Sequence, residues 1–303
     1  VSKPILAIDL GSNTLRLLAY ECQSQRILYH SEQMVKTAEG LRATGRISPQ
    51  AQSRIIATLQ EAQRQQSWDS YHICAVTTEA MRRASNASEV LAAIETETGV
   101  VFEVISGARE ASLTLLAVQY RLRQLASSLD SFMVVDIGGG STELIFCYPQ
   151  ETISRSFAVG IVTMAERYPS LVSMERAIPH EMAMLEQFVQ QTLASSGAVG
   201  GVVATAGTPT TLASLKQGQS YATYEADVVN GTVLSRAEVE YYHTLLLASD
   251  TATRAKMVGT GRAELISAGC VIFQAIYAML GVESVVVIDD GLREGVVREA
   301  CGD

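Results

Sequence analysis

The chain is short of the residues that most often announce a function. Its 303 residues include five cysteines, four histidines and one tryptophan. Cys22, Cys74, Cys147, Cys270 and Cys301 are odd in number and contain no Cys-x-x-Cys pair. That excludes the usual zinc and disulfide frameworks and predicts reduced thiols. His30, His72, His180 and His243 show no metal-ligand spacing. No apolar run approaches the roughly 20 residues needed to span a bilayer. Val1-Ser2-Lys3-Pro4 leads into a strand without the pattern of a secretory leader, so a cytoplasmic protein without membrane attachment is expected. Positive charge is scarce too: 23 Lys and Arg against 32 Asp and Glu leave a net charge of −9. Such a field repels nucleic acid and anionic lipid, so neither is an expected partner. A polyanionic ligand would have to be met locally by arginine, backbone amides and metal.

Two nucleotide-binding motifs are also missing. No Gly-x-x-x-x-Gly-Lys-Ser/Thr occurs. Gly138-x-Gly140-x-x-Glu143 sets a carboxylate where a dinucleotide fingerprint needs its last glycine, and Leu144-Ile145-Phe146 continues as a strand, not a helix.

What is there is one device written twice: an apolar strand ending in an aspartate, a turn of glycine and hydroxyl residues, and a second strand. The copies are Ile5 to Thr14, with Asp9, Gly11, Ser12 and Asn13, and Phe132 to Thr142, with Asp136, Gly138, Gly139, Gly140 and Ser141. Glycine lets backbone approach an anion, turn amides and hydroxyls donate to it, and the aspartate can hold a divalent cation. One such turn is equally an ordinary hairpin. Two in one chain predict a phosphate clamp.

Each copy opens a β-meander, and strands then alternate with helices. Ser48-Pro49 starts a helix toward Gln66, Ile73 to Val76 is a strand, and helices follow from about Ser88 and Glu110. Val100 to Ile105 reads as a strand between them. Strand Gly201 to Thr205 enters a third glycine turn, Ala206-Gly207-Thr208-Pro209, which opens a helix. The expected class is α/β in two domains, 1–126 and 127–303, divided at the polar segment Ala126 to Ser131. The final helix, about 292–303, is free to return to the first domain.

This pattern resembles the duplicated actin-like (ribonuclease H-like) fold, with an interdomain cleft. Six segments sharpen the likeness: Asp9 to Arg16, Thr78 to Arg82, Ile105 to Ala111, Asp136 to Glu143, Ala206-Gly207-Thr208, and Asp290 to Gly295. In that order they resemble the exopolyphosphatase/guanosine pentaphosphate phosphohydrolase (Ppx/GppA) family over nearly the whole chain. The resemblance implies that Glu110 is the catalytic carboxylate that activates water. It also implies that Glu143 is a second acid near the metal and that Arg82 is a ligand to the reacting phosphate. Gly11, Ser12, Asn13, Gly138, Gly139, Gly140, Ser141, Gly207 and Thr208 are the expected phosphate contacts. Asp9, Asp136 and Glu143 are the expected residues beside Mg²⁺ or another divalent cation.

The expected reaction is release of terminal orthophosphate from inorganic polyphosphate. Guanosine pentaphosphate is the alternative substrate, and the family implies a homodimer as one option. An actin-like ATPase or sugar kinase would instead show nucleotide-dependent transfer, and a non-catalytic polyphosphate or alarmone sensor would bind without cleavage. The family's Gly-x-Glu-Glu-Ala-Arg run stands here as Gly107-Ala108-Arg109-Glu110-Ala111-Ser112, which places a cation beside the expected base. Longer family members continue into an all-helical region, and a chain without it is expected to be less processive.

Overall fold

The computed structural model describes residues 3–303, and Val1 and Ser2, read above as the approach to the first strand, lie outside the described residues. The chain forms two compact units: Val1–Ala117 with Leu292–Asp303, and Val118–Gly291. The division falls within the helix Gly107–Gln124. The polar segment 126–131 lies in the second unit, and the last helix is part of the first.

In the first unit the apolar run of β1 (Ile5–Leu10) is buried throughout, as a central strand covered on both faces must be. It pairs antiparallel with β2 (Thr14–Glu21), which pairs antiparallel with the largely exposed β3 (Arg26–Met34). On its other side β1 runs parallel to β4 (His72–Thr77), and β4 runs parallel to β5 (Glu103–Val104). The sheet order is β3-β2-β1-β4-β5. Helix Pro49–Gln65 begins where expected: Ser48 accepts from the Ala51 amide, proline holds the first position, and Ile55, Leu59 and Ala62 are buried. The strand expected over Val100 to Ile105 shrinks to Glu103–Val104, because Val101 is 67% exposed and both strand residues lie open on the edge.

The second unit repeats the plan. Strands β6 (Phe132–Ile137), β7 (Thr142–Cys147) and β8 (Thr152–Phe157) form the antiparallel meander. Strand β9 (Val202–Thr205) lies parallel to β6. A short edge strand not anticipated from the sequence, β10 (Thr232–Ser235), pairs antiparallel with β11 (Ser284–Val287), which itself lies parallel to β9. The order is β10-β11-β9-β6-β7-β8. Helix Ile266–Leu280 buries Ile272, Phe273, Ile276 and Tyr277 in the core of this sheet.

One expectation about the thiols is corrected. Cys22 and Cys301 form a disulfide with Cα atoms 5.5 Å apart and a separation of 279 positions in sequence. The pairing arises from the return of the last helix to β2, which no local spacing encodes. Cys74, Cys147 and Cys270 are free. Complete burial pushes the Cys270 thiol up to about 12.

Candidate active site

The two glycine turns are built alike to the hydrogen bond. Leu10 pairs with Leu15, and the Gly11 amide closes the turn on the Thr14 carbonyl at 2.9 Å. Ile137 pairs with Thr142, and the Gly138 amide closes on the Ser141 carbonyl, also at 2.9 Å. In both, the chain that follows the third meander strand seizes the turn carbonyls from behind. Lys36 and Ala38 donate to the Asn13 and Ser12 carbonyls at 2.9 and 2.8 Å. Ile161 and Val162 donate to Gly138 and Gly139 at 3.0 and 2.8 Å, and the Thr163 hydroxyl donates to Gly140 at 3.0 Å. Among the described residues the amides of Ser12, Asn13, Gly139 and Gly140 make no backbone hydrogen bond. A turn whose carbonyls are tied back and whose amides remain is suited to an anion.

The second turn is held more closely than the first. A Cβ on Gly160 would stand 2.4 Å from the Gly140 carbonyl carbon and 2.5 Å from both the Gly139 oxygen and the Ser141 nitrogen. Only glycine permits that approach, and the sequence reading did not single it out.

The acids at the turns differ. Asp9 lies opposite Arg16 on β2, and Arg16 lies opposite Glu32 on β3, with a 3.2 Å ion pair between the last two. At the equivalent positions Asp136 lies opposite Glu143, and Glu143 lies opposite Ser156. Glu143 is 1% exposed, and its Oε1 accepts from the Ser141 hydroxyl at 2.7 Å and the Ser156 hydroxyl at 2.6 Å. Directly opposed carboxylates repel one another. Mg²⁺ takes oxygen donors, one or two carboxylates being enough when water and phosphate complete its shell. Asp136 and Glu143 fit that donor set. Among the described residues no group of three or more His, Cys, Asp or Glu forms a cage that would hold a metal unaided.

Glu110 and Arg82, expected in different roles, meet within the first unit. Glu110 rises in the first turn of the helix Gly107–Gln124, and Arg82 lies in the last turn of the short helix Glu79–Arg83 that follows β4. Arg82 Nη1 donates to Glu110 Oε2 at 2.8 Å and to the Ile105 carbonyl at 2.9 Å. Its Nε and Nη2 donate to Glu79 Oε2 at 3.2 and 2.9 Å. Burial opposes the charged guanidinium, but the hydrogen bonds and charges of Glu110 and Glu79 outweigh it and raise the Arg82 pKa above its ordinary value. Glu79 escaped the sequence reading because it looked like part of a polar turn. Arg109, the cation next to the expected base, turns away from it and grips Glu299.

At the third turn Ala206 has a φ of 69°, a left-handed conformation unusual for alanine, and Gly207 begins the helix Gly207–Lys216. The Thr208 hydroxyl is buried, has no hydrogen-bond partner, and points at Gly269, where a Cβ would stand 1.9 Å away. Thr208 is therefore placed to offer its amide, not its hydroxyl. Arg262 lies beside the turn, its Nε 3.9 Å from the position of a Cβ on Gly207. That cation was missed because the turn that carries it, between helices Thr251–Val258 and Ile266–Leu280, is far in sequence from any motif.

The family model described as the Ppx/GppA phosphatase family matches residues 20–302. Exopolyphosphatase 1 of Mycobacterium leprae is 29% identical over 304 residues, covering 96% of this chain and 87% of that protein. A crystal structure of an exopolyphosphatase from Cytophaga hutchinsonii superposes with a TM-score of 0.86 at 23% identity, covering 99% of this chain and 98% of that one, which shows a shared fold. The PPX-GPPA enzyme of Aquifex aeolicus superposes with a TM-score of 0.77 at 28% identity, covering 99% of both chains. A match that runs from the end of β2 to the last helix spans Glu110, the second turn and Glu143, and the chain belongs to the Ppx/GppA phosphatase family.

Proposed function

We propose that the protein is a metal-dependent phosphohydrolase that releases terminal orthophosphate from inorganic polyphosphate. The observation that carries this reading is the repeated turn, with carbonyls tied from behind and amides left for an anion. The related proteins named exopolyphosphatase support it. Polyphosphate is a chain of like anions, and two equivalent phosphate-binding turns suit a repeating ligand better than they suit a nucleoside.

Each residue then has a task. The amides of Ser12, Asn13, Gly139, Gly140, Gly207 and Thr208 bind phosphate oxygens, with Gly11 and Gly138 fixing the turns and Ser141 supporting Glu143. Asp136 and Glu143 hold the divalent cation, while Asp9 already faces Arg16. When bound, the cation neutralises charge on the phosphate oxygens. Glu110 accepts the proton of the attacking water, and Arg82 holds that carboxylate in place through Nη1. The hydrogen bonds to Glu79, Ile105 and Glu110 occupy Nε, both N–H groups of Nη1 and one N–H of Nη2, so an incoming phosphate meets the second Nη2–H or competes with Glu110 for Nη1. Phosphoryl transfer needs little beyond this positioning and charge neutralisation.

The test is phosphate release from polyphosphate and from guanosine pentaphosphate, with and without Mg²⁺. Metal-stimulated release from polyphosphate is expected, and release from guanosine pentaphosphate alone would overturn the substrate assignment. Glu110→Gln should keep the fold and substrate binding while lowering kcat by about 10³-fold. Unchanged turnover in that folded variant would remove Glu110 from the reaction.

A further inference from the structure

The helix that carries Glu110 is touched, in the first unit, by the last helix of the chain, Leu292–Cys301. A Cβ on Gly295 would stand 2.0 Å from the Leu113 carbonyl oxygen and 2.5 Å from its carbon, so the two helices meet backbone to backbone. Leu113 is three residues beyond Glu110, on the neighbouring surface of the same helix. Beside that contact Arg109 Nη1 donates to Glu299 Oε1 at 2.6 Å, and Nη2 donates to Oε2, a two-pronged pair that raises the Arg109 pKa. Leu292, Val296 and Val297 share a core cluster with Ile105, Leu113, Leu18 and Tyr20. Arg298 donates to the Tyr20 hydroxyl at 2.8 Å and lies over its ring at 4.6 Å. The far end of the helix is bonded covalently to the end of β2 through Cys301 and Cys22.

We propose that this helix is a redox-locked brace for Glu110, with Glu299 and Arg109 as positioning residues and the Cys22–Cys301 bond as the lock. The inference rests on the reading of Glu110 as the catalytic carboxylate. It also accounts for Arg109: the family pattern has an acid there, and this chain has the cation that Glu299 requires. Exposed pairs hold little by themselves, and Arg109 and Glu299 are 40% and 46% exposed. The pair keeps its geometry because the helix beneath Glu299 is fastened at its end. Cys22 and Cys301 are half-buried, which leaves them within reach of a small dithiol. The third sulfur of the cluster, Cys74, has its thiol pKa raised by burial and then by Glu299. It stays protonated and does not attack the neighbouring disulfide.

Opening the lock is ordinary thiol–disulfide exchange. A dithiol attacks one sulfur, the mixed disulfide resolves as the reductant closes its own S–S bond, and two electrons and two protons leave Cys22 and Cys301 as separate thiols. The brace then frays from its C-terminal end and Glu110 loses its fixed direction. Misplacement of a reacting group costs rate more than binding, so kcat should fall roughly tenfold with KM little changed.

The experiment uses the whole chain, with polyphosphate as substrate and dithiothreitol as reductant. The Cys22→Ser/Cys301→Ser variant should match the reduced protein in kcat and no longer respond to dithiothreitol. Glu299→Gln should lower kcat at constant KM, and the charge-exchanged pair Arg109→Glu/Glu299→Arg should recover most of it. A role in stability alone would lower the melting temperature and leave kcat of the folded protein unchanged, and that outcome overturns the proposal. Hydrogen exchange at residues 107–113 is measured in parallel and should quicken on reduction and in Glu299→Gln. If the wild type releases no phosphate, the functional reading fails, yet exchange still decides the brace: unaltered protection after reduction overturns it.

Discussion

Superposed position by position, the two turns differ most at the residue directly opposite the aspartate of the strand that enters them. In the first unit it is Arg16, standing between Asp9 and Glu32, so that line of side chains contains its own cation. In the second it is Glu143, standing between Asp136 and Ser156, so that line carries two acids and a hydroxyl. The closing hydrogen bond is the same, and in both the turn carbonyls are tied from behind, the second more closely. The two copies thus share a turn and divide the electrostatics: one line of side chains contains its own cation, and the other carries the two acids proposed above to hold a divalent ion.

That contrast can be broken at Glu143. Glu143→Gln should raise the Mg²⁺ concentration for half-maximal phosphate release by about 10–100-fold, since altering groups around a metal site typically costs that much in affinity. A metal titration superimposable on that of the wild type would deny the second turn its special role. A smaller effect should come from Gly160→Ala, which forces a methyl group onto backbone atoms of the second turn. It should lower unfolding stability by about 2 kcal/mol in chemical denaturation and weaken phosphate binding as well. The first turn has no glycine at its tying residues, Lys36 and Ala38, so Lys36→Ala should leave that turn intact. The smallest change is expected for Arg16→Gln. It should cost about 1 kcal/mol of stability through its lost contact with Glu32 and leave the Mg²⁺ titration where it was. A shift in metal dependence in Arg16→Gln would show that both copies contribute to the ion.

Much of this could be read from residues alone, for reasons that are local. Glycine, hydroxyl and aspartate at a strand end constrain a turn directly, so both cradles were legible. Helix Pro49–Gln65 was legible because cap, proline and apolar stripe all lie within it. The difference between Arg16 and Glu143 was present at equal spacing from Asp9 and Asp136, but its meaning depends on strand register, which fixes who faces whom. The role of Glu110 came from family resemblance, since an acid in a first helical turn is otherwise unremarkable. Gly160 and Arg262 were hidden because each lies against a segment distant in sequence, and Glu79 because its side chain had the look of a polar turn. The Cys22–Cys301 bond is the extreme case, its halves belonging to opposite ends of the chain. Strand β10 was missed for the opposite reason: four residues are too few to establish a period.

The discontinuity of the first unit bears on how the protein is made. Its β-sheet is complete once β5 has emerged, yet Ile5, Leu18, Tyr20 and Leu113 share their cluster with Leu292, Val296 and Val297. The ribosome must first translate all of Val118–Gly291. At about 5–20 residues per second, the nascent N-terminal body waits roughly ten to thirty seconds with an uncovered oily face. A chaperone has that interval in which to shield it, and emergence of Leu292–Cys301 becomes the event that closes the earliest-made part of the molecule.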